Sequence, residues 1–228
     1  MEKLAVTAKT RIRRGPNRAV FDREMLYQIF DQAHIAHIGF SMDEQSFVIP
    51  MLCWRQGNTL YIHGSNGSRM IKALTETQNC CVTATLLDGM VLAKSAFSHS
   101  TNYRSACVFG QFRQLVDPNE INQVLEIFMQ HIAPGRWQEV RPPNQKELKA
   151  TTILAIEMDE ASVKVRSGGP ADDEADLDFP VWSGELVIEQ TTGKMVADAH
   201  TPSATKTPDY SQAWQHNWEL LPTKIHGH

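Results

Sequence analysis

Residues 82–110, VTATLLDGMVLAKSAFSHSTNYRSACVFG, constrain the fold more than any other stretch of this 228-residue chain. Strand-like apolar segments at 80–87 and 90–97 flank Asp88-Gly89, the strongest short hairpin signal in the sequence. A longer strand is predicted over 103–116, bent at Gly110. Strands that follow one another through short reversals pair antiparallel, which excludes the alternating order of a parallel dinucleotide-binding sheet. No G-x-G-x-x-G opens a helix after a strand. Between Phe97 and the next apolar run stand Ser98, His99, Ser100, Thr101, Asn102, Tyr103 and Arg104. Such a cluster at the mouth of a strand pair offers many hydrogen-bonding groups to one small polar ligand. Taken alone, it also reads as a solvated loop between strands.

The rest of the chain continues the same theme. Asp22 is an N-cap for a helix to Ala33, with Leu26, Ile29, Phe30 and Ala33 as its apolar stripe. Strands are predicted at 35–41 and 46–54, the second interrupted by Pro50, which marks an edge or a bulge because proline cannot donate to a ladder. Gln56-Gly57-Asn58 is turn chemistry, and 59–63 is the return strand. HGSNGSR at 63–69 leads into a helix over 69–77. Asp117-Pro118-Asn119-Glu120 starts a helix that buries Ile121, Val124, Leu125, Phe128 and Ile132 and stops before Pro134-Gly135. A short helix at 145–149 and strands at 152–158 and 162–166 follow. The acidic stretch 171–178 has little to bury and reads as a mobile loop.

HGSNGSR has the physics of an anion site. Small residues let the backbone approach a ligand, N–H groups at the helix start face outward, Ser65 and Ser68 add hydroxyls, and Arg69 adds charge. The same residues also make an ordinary strand-to-helix turn whose serines only cap.

A net charge of −4 argues against a general nucleic-acid binder. The four arginines of TRIRRGPNR, at 10–18, read as a solvated N-terminal arm. No apolar span approaches the ~20 residues of a membrane helix, and the N-terminus lacks the apolar core of a signal peptide, so a cytoplasmic protein is expected. Cys53, Cys80, Cys81 and Cys107 lie in strand-like runs without C-x-x-C spacing, and no metal is expected. Cys80 and Cys81 point to opposite faces of a strand. His34 and His37 lack a third ligand nearby and read as structural.

These elements, in this order, resemble the FMN-binding split-barrel family related to pyridoxamine 5′-phosphate oxidase, and within it the flavin-nucleotide-binding branch that includes 5-nitroimidazole-resistance proteins. The residues carrying the likeness are AHIGF at 36–40, Val48-Ile49-Pro50, YIHGS at 61–65 with Ser68-Arg69, the run 82–110, and PVWSG at 180–184. The resemblance implies a mainly β fold with helices (α+β): a six-stranded antiparallel split β-barrel, Greek-key-like and homodimeric, with two FMN molecules at the subunit interface. It implies a basic arm at 1–20, an FMN-binding domain at 21–190 and a C-terminal tail at 191–228. By resemblance, the flavin phosphate sits on Gly64, Ser65, Ser68 and Arg69, with Lys72 one turn later. Pro50, Met51, Leu52 and Cys53, with Val82 and Thr83, line the isoalloxazine ring. His99, Ser100, Asn102, Tyr103, Arg104 and Trp182 close the site, and His63 stands nearest any substrate as the candidate catalytic residue.

Ser98 stands where relatives often carry a second histidine, and the chain ends PTKIHGH without the arginine segment that grips substrate in true pyridoxamine-phosphate oxidases. Oxidation of vitamin B6 is therefore not expected. The implied function is a flavin-dependent oxidoreductase, passing electrons from a reduced donor such as a nicotinamide to a small planar or nitroaromatic acceptor. The alternative is an FMN or haem carrier without turnover.

Overall fold

The computed structural model describes residues 2–76, 79–212 and 214. In chain order the elements are β1 (Ala19–Val20), α1 (Arg23–Ala33), β2 (Ile35–Met42), β3 (Gln45–Leu52), β4 (Trp54–Gln56), β5 (Thr59–Ser65), α2 (Arg69–Thr75), β6 (Cys80–Leu92), β7 (Ser100–Gly110), β8 (Arg113–Gln114), α3 (Pro118–Ile132), α4 (Gln145–Ala150), β9 (Thr151–Glu157), β10 (Ala161–Arg166) and β11 (Gly184–Val187). Every pairing among the described strands is antiparallel. A seven-stranded sheet runs β1-β10-β7-β6-β2-β3 with β11 beside β6, and a four-stranded sheet runs β4-β5-β9-β8.

Two places decide this division. The backbone leaves the large sheet at Cys53, whose N–H donates to the His34 carbonyl at 2.8 Å, and Trp54 pairs with Tyr61 in the small one. It leaves again after Gly110, so that Arg113 pairs with Ala155. The strands predicted at 46–54 and 103–116 are therefore each two strands, β3 with β4 and β7 with β8. The eight strand segments expected from the sequence become eleven among the described residues: 80–87 and 90–97 merge into β6, two others are cut at a crossing, and the short strands β1 and β11 are added.

The core forms where the two sheets face each other. Ala36, Ile38 and Phe40 of β2, Leu60 and Ile62 of β5, Val82 and Ala84 of β6, and Leu154 and Ile156 of β9 are buried with Leu26, Ile29 and Phe30 of α1. Asp22 caps α1 by accepting from the Glu24 N–H at 3.1 Å, as its sequence predicts. A second, smaller core lies under α3, where Val124 and Phe128 meet Trp54, Tyr61, Leu115 and Ile153. Asp117 caps α3, with Pro118 at its first position.

The expected Asp88-Gly89 hairpin is not formed. β6 runs unbroken through it, with a register shift against β7 between Leu87 and Gly89. Gly89 serves a close approach instead, because a Cβ there would lie 2.9 Å from the Leu186 carbonyl oxygen of β11. The reversal falls at 93–99, so residues 100–104 belong to β7 rather than to a loop. The distal parts of β6 and β7, with β11, extend as an arm beyond the point where β2 leaves β6 at Thr83.

The N-terminal segment is tied down: Leu4 is buried in the main core, and Thr7 and Lys9 both bond Glu160, at 2.8 and 2.9 Å. The acidic stretch is anchored too, with Asp172 accepting from the Lys94 N–H at 2.9 Å. α2 ends at Thr75; Thr77, His226 and His228 lie outside the described residues. No helix among the described residues is long and apolar enough to cross a membrane.

Candidate functional site

The residues expected to form one site fall into two groups. The first surrounds the turn from β5 into α2. Gly64 lets the helix come down onto the strand, since a Cβ there would stand 2.8 Å from Ile71 Cγ1. The Ser68 N–H donates to the Ser65 carbonyl at 2.9 Å, and the Ser65 hydroxyl accepts from the Gly67 N–H at 3.2 Å. Ser68 is the N-cap of α2 and accepts from the Ile71 N–H at 3.5 Å. Asn66 holds the turn from below: its side-chain amide donates to the Lys149 carbonyl at 2.6 Å and accepts from the Thr152 hydroxyl at 2.8 Å. Arg69 extends over the Phe47 ring, 4.7 Å from its centroid, and makes no ion pair among the described residues. Lys72, one turn on, is exposed.

The proline-bearing strand borders this turn. β3 is the outer edge of the large sheet, where proline is tolerated, and Pro50 stands opposite His37. Val48 and Pro50 point outward, while Phe47, Ile49 and Met51 pack on the main core and Leu52 on the smaller one. Cys53 and Val82 are fully buried. Burial pushes the Cys53 thiol up to about 12, so it stays protonated. Val82 and Thr83 pair with β2 on one side and β7 on the other, which occupies their backbone; only the Thr83 side chain faces outward. Both Cys53 and Val82 are core residues rather than walls of an open site.

His63 points into the smaller core. Its ring lies 5.7 Å from Trp54 and 5.3 Å from Phe128, with the Phe128 contact edge-on. Burial lowers its pKa, so the imidazole is neutral at pH 7. His63 Nδ1, Trp54 Nε1 and His34 Nε2 are buried polar atoms without a partner among the described residues.

The second group sits on the arm. His99 Nδ1 contacts the Ser95 carbonyl at 2.9 Å, and Ser100 opens β7. Asn102 is buried between Glu185 of β11, to which its amide donates, and Arg166, which donates to it. Tyr103 is half-buried. Arg104 donates to both oxygens of Asp88, at 2.6 and 2.9 Å, and to Gln32 at 2.7 Å. It locks the register shift of β6, which is a structural task. Trp182 is exposed and folds over Gly184, where a Cβ would lie 2.7 Å from its ring.

One chain does not bring the two groups together. Thr83 marks where β6 leaves β2; Met90, which pairs with Thr101, lies seven positions further along β6, about 23 Å of extended strand, while Arg104 pairs with Leu86, about 10 Å along, and is spent on Asp88 and Gln32. A groove of about 270 Å³ opens between Phe109, Gly110, Gln111, Arg113, Ala155 and Glu157, but none of these is a predicted site residue. Glu157, Asp159 and Glu160 on its rim oppose a phosphate there. No group of three His, Cys, Asp or Glu among the described residues is placed to hold a metal ion.

Sequence reasoning missed one buried cluster. His34, which ends α1 at φ 52°, brings Nδ1 within 3.0 Å of Nε2 of His131 near the end of α3. Trp214 lies 4.2 Å from the His34 ring, and its indole N–H donates to the Ile132 carbonyl at 2.8 Å. Burial, and then the neighbouring His131, lowers His34 to about 4. Their separation of ninety-seven residues hides this pair from any local pattern.

Residues 22–165 match the family described as pyridoxamine 5′-phosphate oxidase. The chain belongs to this family. Among solved structures, the flavocytochrome Anf3 from Azotobacter vinelandii is similar at 34% identity over 92% of this chain and 98% of that one, with a TM-score of 0.87. The FAD and heme binding protein from Mycobacterium smegmatis is similar at 31% identity over 86% and 97%, with a TM-score of 0.82. A putative 5-nitroimidazole antibiotic resistance protein from Bacteroides thetaiotaomicron shares the fold at 23% identity over 64% and 86%, with a TM-score of 0.55. No curated protein matches the chain.

Proposed function

We propose that this member of the family binds a flavin nucleotide, with its phosphate on the turn from β5 to α2 and its ring along the edge of β3, and works as a flavin-dependent oxidoreductase. The observation that carries the reading is the turn itself. It combines a glycine that admits close helix packing, two serine hydroxyls, N–H groups at a helix start and an arginine without an acidic partner among the described residues. These features fit a phosphate monoester. Ser65, Ser68, Arg69 and Lys72 would hold it, and Pro50, Met51 and Leu52 would border the ring. When bound, the flavin supplies hydride and electron transfer. The protein orients the ring and keeps water from one face; His63, neutral and packed between Trp54 and Phe128, supplies no acid to it.

FMN is the form the turn accommodates with the fewest further contacts; FAD carries the same phosphate joined to an adenylate, and the similar Mycobacterium smegmatis protein is an FAD and heme binding protein. A second copy of the chain completes the site. The arm leaves Phe97 98%, Trp182 68%, Leu186 58% and Val187 63% exposed. Exposed apolar side chains of this size mark an interface, and a two-fold partner would bring His99, Ser100 and Tyr103 to the first group.

A second reading, haem alongside the flavin, is favoured by the flavocytochrome likeness and by the orphaned ring nitrogens of His34 and His63. In that reading His131 orients His34 through the shared hydrogen bond.

Acid release of the cofactor from purified protein, with mass analysis, separates FMN from FAD, and a pyridine haemochrome spectrum reads haem. Anaerobic reduction by a nicotinamide followed by acceptor turnover tests the oxidoreductase. A colourless monomer that takes up no flavin overturns the proposal; a flavin that stays oxidised with every donor favours the carrier.

A further inference from the structure

Cys81 and Cys107 lie on neighbouring strands in the middle of the large sheet. β6 and β7 pair Cys81 with Phe109 and Thr83 with Cys107, so the two cysteines are diagonal neighbours on one face. That face is the outer one: Val82, Ala84, Ala106 and Val108, which alternate with them, are buried in the main core. Cys81 and Cys107 are half-buried, whereas Cys53 and Cys80 are buried. Gly39 stands opposite Cys81 on β2 and leaves room above it; a Cβ at Gly39 would lie 3.9 Å from Cys81 Cβ.

Cys107 Sγ lies 3.5 Å from the Thr83 hydroxyl oxygen, and Thr83 reaches the Ala106 carbonyl at 2.9 Å. While Cys107 is a thiol it donates to Thr83, which donates to Ala106; once Cys107 ionises, the Thr83 proton can turn from the carbonyl to the sulfur. The neighbouring Cys81 thiol is the largest influence favouring the Cys107 thiolate, so Cys107 is the more readily ionised of the two and Cys81 the less. A half-exposed thiolate beside a second thiol is the arrangement of a reversible redox pair.

We propose that Cys81 and Cys107 form a peroxide-oxidisable dithiol that closes to an intrachain disulfide across β6 and β7, with Cys107 the attacking sulfur and Cys81 the resolving one. In the first step the Cys107 thiolate attacks one oxygen of hydrogen peroxide. An S–O bond forms, the O–O bond breaks, and the departing hydroxide takes a proton from solvent as water. In the second step the Cys81 sulfur attacks the Cys107 sulfenic acid. The S–S bond forms, the S–O bond breaks, and hydroxide leaves as a second water with the proton that Cys81 gives up. The two thiols lose two electrons in total and peroxide gains them. A diagonal pair closes only with a local shift of two packed strands, so the disulfide is readily reduced by a small thiol, as strained bridges are. Closing it clamps β6 to β7 at the root of the arm. The inference does not depend on flavin or haem binding.

The test treats folded, freshly reduced protein with hydrogen peroxide, blocks remaining thiols with a maleimide, and maps tryptic peptides. Expected is the loss of two thiols and two hydrogens from the intact mass, a linked pair of peptides spanning 73–94 and 105–113, fragmentation placing the link at Cys81, and full reversal by dithiothreitol. Cys107→Ser abolishes the fast thiol loss. Cys81→Ser stops at one added oxygen on Cys107 without a link, and Cys53→Ala behaves as the parent. Oxygen addition on Cys107 of the unaltered chain without a link, a link through Cys80, or a link between two copies overturns the proposal. The readings on the unaltered chain decide the matter even where a variant fails to fold.

Discussion

Acidifying the protein from pH 7.5 to 4.5 should destabilise it chiefly through His34. In the folded chain this imidazole is buried, hydrogen-bonded to His131 and covered by Trp214, and its pKa lies at about 4 rather than the ordinary 6.5. The unfolded chain therefore binds a proton on passing below 6.5, while the folded chain resists until about 4. Stability is complete above the unfolded value and falls throughout the interval between the two, because the unfolded state holds more protons there. Integrating from pH 7.5 to 4.5 gives a loss of about 2.5 kcal/mol for this one group, roughly 5–10 °C in Tm for a chain of this size. His63 and His131 are shifted in the same direction by burial and steepen the slope. The ion-paired Glu147, held down at about 2 by Arg141, loses its contribution only below the ordinary carboxylate range and stays outside the window. The assay is Tm against pH for the parent and for His34→Asn, since asparagine tolerates the positive φ and still offers a hydrogen bond to His131. The substitution should remove most of the slope between pH 6.5 and 4.5, and the ring proton resonances of His34 should titrate near 4. A His34 that titrates near 6.5, or an unchanged slope in the variant, refutes the reasoning.

Gly64→Ala places a Cβ against buried Ile71 and should cost about 1–3 kcal/mol by overpacking, read in chemical denaturation, while weakening flavin uptake through displacement of α2. Asp88→Ala leaves the largely buried Arg104 guanidinium without its carboxylate and should cost about 1–3 kcal/mol, with faster hydrogen exchange in the arm. Phe97→Asp, on a side chain that is 98% exposed, should leave Tm of a lone chain unchanged but convert a dimer to monomer by light scattering.

Local chemistry carried much of the fold. Asp22, Asp117 and Pro118 start helices where their types predict, and the burial stripes of α1 and α3 follow the helical period. The glycines were harder to read, because Gly89 answers to Leu186 and Val187 of β11, far along the chain, and its turn-like pairing with Asp88 is incidental. The bend at Gly110 was legible, but nothing at Cys53 announces that a strand is about to change sheets, since the partners that receive it, His34 and Tyr61, lie elsewhere in the chain. The turn around Ser65, Ser68 and Arg69 was legible as a strand-to-helix junction because capping chemistry is local in sequence. The polar run 98–104 was legible as unusual but not as an arm: Arg104 and Asn102 answer to Asp88, Gln32, Arg166 and Glu185, partners that no spacing rule connects.

The central claim is that the turn from β5 to α2 holds a flavin phosphate. Thermal melting of cofactor-stripped protein with added FMN tests it most directly, with Arg69→Ala alongside. At ~100 times its dissociation constant FMN should add ~2.7 kcal/mol of stability. Losing the arginine's charged hydrogen bond, worth about 1.5–3 kcal/mol, should weaken binding roughly tenfold to a hundredfold and remove about 1.3–2.3 kcal/mol of that gain at the same FMN concentration. Equal stabilisation of both proteins, or of neither, contradicts the account.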